Sequence, residues 1–248
     1  MSDKISWLDE RSSSSCSVLL MNASITAVAL LLASIGCDLP RDADHALERI
    51  QSGTLRVGVI HHPPWVFAAG GAVTGVEVQL VQAAAADLKT KIAWVSGSES
   101  ELLSSLHERE LDLVIGGLSR ASPWKHQVAF SRAYYVDSTI VSSPTAARES
   151  SLKHDSVAVE AGDPAAADLR KKGAIPISVA KLAGVQGLVA APAWQLSGLG
   201  RPPSGIVLRT DERSMALSPG ENAWLNWLER WLHGRQRSIP AMLRSMSP

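Results

Sequence analysis

Cysteine, tyrosine and phenylalanine are nearly missing from this chain, which has only two of each in 248 residues. Both cysteines, Cys16 and Cys37, fall in the first 37 residues, and the body that follows has none. A disulfide framework, a cysteine metal site and a cysteine nucleophile are therefore excluded from that body. Excess charge of one sign is missing too. With 24 basic residues against 24 acidic, there is no net field to draw nucleic acid or an acidic surface. No GxSxG, HExxH or P-loop pattern occurs, so the common hydrolase, zinc-protease and nucleotide signatures are absent. His61 and His62 are adjacent, which points them to opposite sides of an extended chain and away from a shared metal. The aromatics that are present are skewed, since eight of the twelve are Trp.

Charge is absent altogether from residues 12–37, and 18–35 (VLLMNASITAVALLLASI) is mostly apolar. A tract of that length would span a bilayer, although Asn22, Ser24, Thr26 and Ser34 weaken it. Two readings stand. One is a secretory signal whose cleavage leaves Cys37 as a lipidated N-terminus; Ala33, Ser34 and Gly36 resemble a bacterial lipoprotein box, with Ser34 where Leu is usual. The other is an uncleaved anchor helix. The residues before the tract (Asp3, Lys4, Asp9, Glu10, Arg11) are not basic, and Met21 is a second candidate start. Either reading tethers the body to a membrane, outside the cytoplasm. Residues 38–52 read as a linker with one helical turn.

From residue 53 the pattern is α/β. Residues 54–60 are a β-branched run that reads as a buried strand, stopped by His61-His62-Pro63-Pro64. A Gly-rich turn at 68–71 leads to a helix over 76–88, where Val76, Leu80, Val81, Ala84 and Leu88 share a face. Further strands are expected at 92–95, 111–118 and 134–143, with a helix at 99–108. After a polar stretch around Pro144, a second α/β pattern begins. It comprises strands at 156–159, 175–179 and 188–191, helices at 163–172 and 180–187, and a helical turn at 192–199. Residues 206–208 and 214–217 look extended. A final amphipathic helix carries Trp224, Leu225, Trp227, Leu228, Trp231 and Leu232. Alternation of this kind implies parallel sheets, and in open α/β sheets ligands sit outside the strand ends, where the Pro-Pro-aromatic loop lies.

The ordered set GTLRVGVIHHPPWVF, TGVEVQLVQAAAADL, LHERELDLVIGGLS, VAFSRAYY, VAVEAGDPAAADLRKKGA and SPGENAWLNWLERWL resembles the extracellular solute-binding proteins of ABC transporters, family 3, the polar-amino-acid type. The resemblance implies an α/β fold of the two-lobed, type II periplasmic binding kind. Each lobe would be a mostly parallel sheet with flanking helices, and two crossing strands, 136–141 and 214–217, would form the hinge. Lobe one would be 53–137 with 214–248, and lobe two 138–213. It further implies a monomer without cofactor or metal that closes on a small-molecule solute and delivers it to an ABC transporter permease.

The family's ligand positions carry over unevenly. Trp65 matches an aromatic that stacks on ligand, with plugging of the lobe's own core as its alternative. Ser119 matches a polar residue facing the cleft, or it caps the strand end. Tyr134, after FSRA, is a contact or a packing residue. Three positions depart. Trp124 stands where the family's carboxylate-clamping Arg belongs, and Arg120 or Lys125 lies close by. Asp163 stands where a Ser or Thr is usual, and Asp is also a good helix N-cap. The lobe-two Asp falls near Ala190, with Trp194 just beyond. A bidentate charge-assisted pair contributes about 1.5–3 kcal/mol, which Trp cannot replace. These departures suggest a cleft lined by Trp65, Trp124 and Trp194 with Glu160 or Asp163 nearby, suited to a neutral, aromatic or cationic solute; the alternative is that the tryptophans pack and the site is diverged or lost. Two other activities fit the same fold. One is a periplasmic dehydratase of the prephenate or arogenate type, with Glu160 or Asp163 as its acid. The other is a module that senses a ligand for a signalling partner.

Overall fold

The computed structural model describes residues 42–144, 151–203 and 205–246. Residues 1–37, expected from the sequence to be a targeting or anchor segment and including Cys37, lie outside the described residues. Among the described residues no helix is long and apolar enough to cross a membrane.

The first described element is helix α1 (Ala46–Ser52), which buries Ala46 and Ile50. The helical turn expected within the linker is thus a helix, and its buried Ala46 and Ile50 join the core. Strand β1 (Thr54–Val59) follows. Next come a hairpin of β2 (Phe67–Ala69) and β3 (Ala72–Thr74), helix α2 (Val76–Leu88) and strand β4 (Lys91–Ser96). The Gly-rich turn is the tip of that hairpin, with Gly70 and Gly71 both at positive φ. Helix α3 (Glu99–His107) starts on a capping box in which Ser98 and Glu101 satisfy each other's backbone N–H groups. Strand β5 (Leu113–Ile115) is shorter than the apolar run suggests, because Gly116 and Gly117 leave extended geometry at once. A 3-10 turn (Pro123–His126) and strand β6 (Ala129–Phe130) complete this stretch.

The second stretch holds β7 (Tyr135–Ser142), β8 (Ser156–Glu160), helix α4 (Ala165–Lys171), β9 (Ile175–Val179), β10 (Leu188–Pro192), helix α5 (Ala193–Gly198) and β11 (Ile206–Arg213). The helix expected over 180–187 is absent. That segment is a turn with Gly184 at φ +79°, which interrupts any helix. Residues 206–213 form one long strand rather than a three-residue piece. The chain then returns through β12 (Ala216–Leu217), helix α6 (Asn222–His233) and a last helix, α7 (Ile239–Ser245), which the sequence reading missed.

Among the described residues two five-stranded sheets result, ordered β4-β1-β5-β12-β6 and β11-β7-β10-β8-β9, beside the β2-β3 hairpin. In the first, β4, β1 and β5 are parallel. In the second, β8 is parallel to both β9 and β10. The chain crosses between sheets twice, from β6 into β7 and from β11 back into β12. Strands β7 and β11 run antiparallel beside each other from Arg213 opposite Tyr135 to Ile206 opposite Val141. The fold is thus α/β and two-lobed, as the resemblance implies.

Each sheet is covered on both faces, and the period of two shows which residues face which layer. Leu55, Val57, Val59, Leu113, Ile115 and Leu217 join the cluster under α1, α2 and α6, whereas Val114 and Ala216 join the cluster under α3. In the second sheet, Val157, Val159 and Ala190 pack with Leu169 of α4. Their neighbours Ala158, Val189 and Ala191 pack with Leu196 of α5. Burial of each Leu-, Val- or Ile-sized chain stabilises by about 1.5–3 kcal/mol, so both lobes have cores of their own. In the first lobe, Asp112, just before β5, is buried and held by Arg56 at 2.7 Å and Arg49 at 2.9 Å.

Candidate functional site

Because the strands are parallel, their carboxyl ends gather the candidate residues at one end of each sheet. The loop 60–66 leaves β1, and the Gly116-Gly117 loop leaves the adjacent β5. The backbones of His62 and Val66 pair in both directions, at 2.9 and 3.0 Å, and this turns Trp65 inward. Trp65 is 1% exposed. Its ring meets Tyr134 edge-on at 6.1 Å and Tyr135 at 5.7 Å. The Arg213 guanidinium lies 5.3 Å from its centroid. Gly117 has φ +64°, and a Cβ there would lie 2.4 Å from Trp65 Cδ1, so only glycine lets the loop approach the indole this closely.

That loop is held by a buried acid. Glu77 accepts the N–H groups of Gly116 and Gly117 at 2.7 and 2.8 Å on one oxygen, and the Tyr134 hydroxyl at 2.6 Å on the other. Burial pushes the Glu77 carboxyl up, while Tyr134 and the two glycine amides pull it back down. Burial, with the Glu77 charge beside it, holds the Tyr134 hydroxyl well above its ordinary range.

Arg213 ends β11 at the point where the chain leaves the second sheet for the first. Its guanidinium donates to Gly117 O at 2.6 Å, to Asp137 at 3.1 Å and to Asp211 at 3.4 Å. Asp137 sits on β7 directly opposite Asp211, and burial raises its carboxyl against the opposing pull of Arg213. Four buried polar atoms near this crossing have no partner among the described residues: Asp137 Oδ1, Arg213 Nε, Ser214 Oγ and Trp194 Nε1.

On the second sheet, the loops after the paired parallel strands β8 and β10 supply the other candidates. Glu160 ends β8 and accepts from Gln195 Nε2 at 3.1 Å. Asp163 follows it, two residues before α4, and its carboxylate accepts the N–H of Ala165, the first residue of that helix, at 2.7 Å. Trp194, near the start of α5, is half-buried and packs against the first lobe's main cluster, which makes it a lobe-two side chain resting on lobe one.

The predicted residues are therefore only partly gathered. Trp65 and Tyr134 touch, and Ser119 reaches Arg213 through a backbone bridge, its own hydroxyl accepting the Ala121 N–H at 3.3 Å. Trp124 is elsewhere. It packs, half-buried, on the α3 cluster with Leu102, Leu103 and Leu106, and so belongs to a different layer from Trp65. Arg120 and Lys125 are exposed. The residues the sequence reading missed are Glu77, Asp137 and Arg213. Glu77 lies between Val76 and Val78, all three buried, and those apolar neighbours are its one signal in the sequence. Asp137 is the one charge in the run YYVDSTIVSS, an acid that a buried strand tolerates only when it is paired. Among the described residues no group of three or more His, Cys, Asp or Glu converges as a metal site; His62 Nδ1 lies 2.7 Å from Gly116 O, and His61 Nδ1 accepts the Ala68 N–H.

Solved structures with this architecture include an ancestral cationic amino acid solute binding protein, 21% identical with a TM-score of 0.60, the match covering 81% of this chain and 97% of that one. The L-cystine solute receptor of Neisseria gonorrhoeae in its unliganded open conformation is 17% identical with a TM-score of 0.60, over 77% of this chain and 91% of that one. An ancestral cyclohexadienyl dehydratase is 18% identical with a TM-score of 0.53, over 80% and 94%. At these identities the likeness is one of fold. No curated protein matches the chain. The family model of the bacterial extracellular solute-binding proteins, family 3, matches residues 55–238, most of the chain, and the chain belongs to that family.

Proposed function

We propose that this protein is the solute-capturing receptor of an ABC importer, held outside the cytoplasm by its N-terminal segment. It takes a small polar or amino-acid-like solute between its lobes and presents it to a permease. One observation carries this reading: loops from the carboxyl ends of both sheets, 60–66 and 116–119 from one and 160–163 and 192–195 from the other, flank a two-strand crossing with unpaired buried polar atoms. Unpaired buried groups cost about 1–3 kcal/mol each, a cost that a solute's own polar atoms would remove on closure. The solute site we assign comprises Ser119, Asp137, Trp194, Arg213 and Glu160, with Trp65 buried beneath Arg213. Trp124 and Arg120 stand outside it.

Calorimetric titration with amino acids, betaines, polyamines, sugars and aromatic acids tests the reading. One solute class binding one-to-one, without turnover and at least tenfold more weakly to Trp194→Ala, supports it (about 1.4 kcal/mol). A second reading, a dehydratase, is favoured by Glu160, a half-buried acid oriented by Gln195 at a strand end, and by the likeness to an ancestral cyclohexadienyl dehydratase. Turnover of prephenate or arogenate that is lost in Glu160→Gln would replace the receptor reading with that one.

A further inference from the structure

Trp65, Asp137, Asp211 and the Gly117 carbonyl form four walls of a box around one guanidinium. The indole face lies 5.3 Å from it, Gly117 O 2.6 Å, Asp137 3.1 Å and Asp211 3.4 Å. An aromatic face with two carboxylates and a carbonyl is a recognition set for a guanidinium or ammonium cation. Here the cation comes from the chain itself, and Trp65 is 1% exposed, so no aromatic surface is left for a second one.

We propose that Arg213 is a resident cation that determines specificity: it occupies the protein's own cation box and thereby directs the receptor towards neutral or zwitterionic solutes. The inference rests on the receptor reading for its biological sense, but the box and its occupant stand on geometry alone. Three features support it. Arg213 is anchored from both lobes, with Gly117 after β5 on one side and Asp137 on β7 on the other. Its backbone also pairs with Ser119, which fixes the guanidinium's origin. Arg209 already serves Asp211 at 2.8 Å and Asp168 at 3.0 Å, so Asp137 depends on Arg213 alone among the ion pairs of the described residues. A soluble cation arriving at Trp65 would have to displace a tethered one whose effective concentration is high. The consequence is a separation of solutes: those whose affinity comes from a cationic side chain are refused, while those with neutral side chains are not.

The test is chemical rescue. Arg213→Ala empties the box and leaves Asp137 without its cation. Methylguanidinium at millimolar concentration then raises the melting temperature of Arg213→Ala by about 3–6 °C at ten times its dissociation constant, with a change in Trp fluorescence. It leaves the wild-type protein unmoved, and Arg213→Ala/Asp137→Asn is not rescued. A folded Arg213→Ala that ignores methylguanidinium overturns the proposal. Should Arg213→Ala not fold, titration of wild-type protein with L-arginine decides. No binding supports the resident cation, and binding with a fluorescence change that Trp65→Phe abolishes overturns it. Binding of a neutral solute to wild type is scored separately, so a failed rescue and a failed receptor are told apart.

Discussion

Asp137 and Asp211 stand directly opposite each other on the two crossing strands. Like charges in that position repel, and Arg213 bridges both, at 3.1 and 3.4 Å. The two acids are not equivalent, because the Asp137 side chain is 8% exposed and that of Asp211 25%. Removing the buried partner should cost far more than removing the other. Asp137→Ala is expected to lower the unfolding free energy by about 3–5 kcal/mol, and Asp211→Ala by about 1 kcal/mol or less. Urea unfolding of the two variants measures this. Equal losses would mean that Arg213 does not rely mainly on Asp137.

A second consequence concerns Glu77, which fixes the glycine loop against Trp65. Tyr134→Phe removes one donor from a buried carboxylate and is expected to cost about 1–3 kcal/mol. Glu77→Gln should cost a similar amount. Because the two groups form one network with the Gly116 and Gly117 amides, the double variant should lose less than the sum of the singles, by about 0.5–3 kcal/mol. Strict additivity in denaturant unfolding would contradict the network.

Gly117→Ala tests the close approach of loop and indole. The backbone there has φ +64°, and the new methyl would meet Trp65 Cδ1 at 2.4 Å. The expected loss is about 2–4 kcal/mol, from left-handed strain and overpacking together. A changed Trp fluorescence spectrum should accompany it. Gly184→Ala is the control. Its φ is +79°, with nothing within 4 Å of the added carbon, so it should lose only the strain, about 1–2 kcal/mol.

Stability should fall as pH rises through neutrality. Burial, and then the neighbouring Asp42 carboxyl, push Glu221 up to about 7, and burial also raises Glu77 and Asp137. A carboxyl whose pKa is higher in the folded state binds its proton more tightly there. Its contribution is therefore full below the unfolded pKa, near 4.5 for Glu221, and is lost as pH rises through 7. Melting temperature should decline from about pH 5 to about pH 8. Glu221→Gln should flatten that decline by about 1–2 kcal/mol. A melting temperature that rises over this range would contradict the assignment.

Much of this fold could be read from the sequence, for a physical reason. Runs such as Val57-Gly58-Val59 and Leu113-Val114-Ile115 are apolar because sheets covered on both faces bury both sets of side chains, and such runs are visible in one dimension. The amphipathic stripe of α6, with Trp224, Leu228 and Trp231 inward, is equally visible. Local sequence was less informative where a single residue decided the backbone. Gly184 ended a helix that alanine and leucine suggested, and Gly116 cut a strand short. The site was legible only in part. Trp65 and Tyr134 were found through the order of motifs. The partners that fix them, Glu77 and Arg213, lie 12 and 148 residues from Trp65 in the chain, and only the folded sheets bring them together. Trp124 shows the converse, since the residue standing at the family's clamping-Arg position packs on the α3 cluster.

The most direct measurement is thermal unfolding of the protein against a panel of neutral and zwitterionic amino acids, betaines, sugars, polyamines and aromatic acids including prephenate. A true ligand at about a hundred times its dissociation constant stabilises by about 2.7 kcal/mol, which for a body of this size is a rise of about 5–10 °C. The expected result is such a rise with a neutral or zwitterionic solute, undiminished on prolonged incubation. A panel that leaves the melting temperature unchanged throughout would contradict the claim that this chain is a solute receptor.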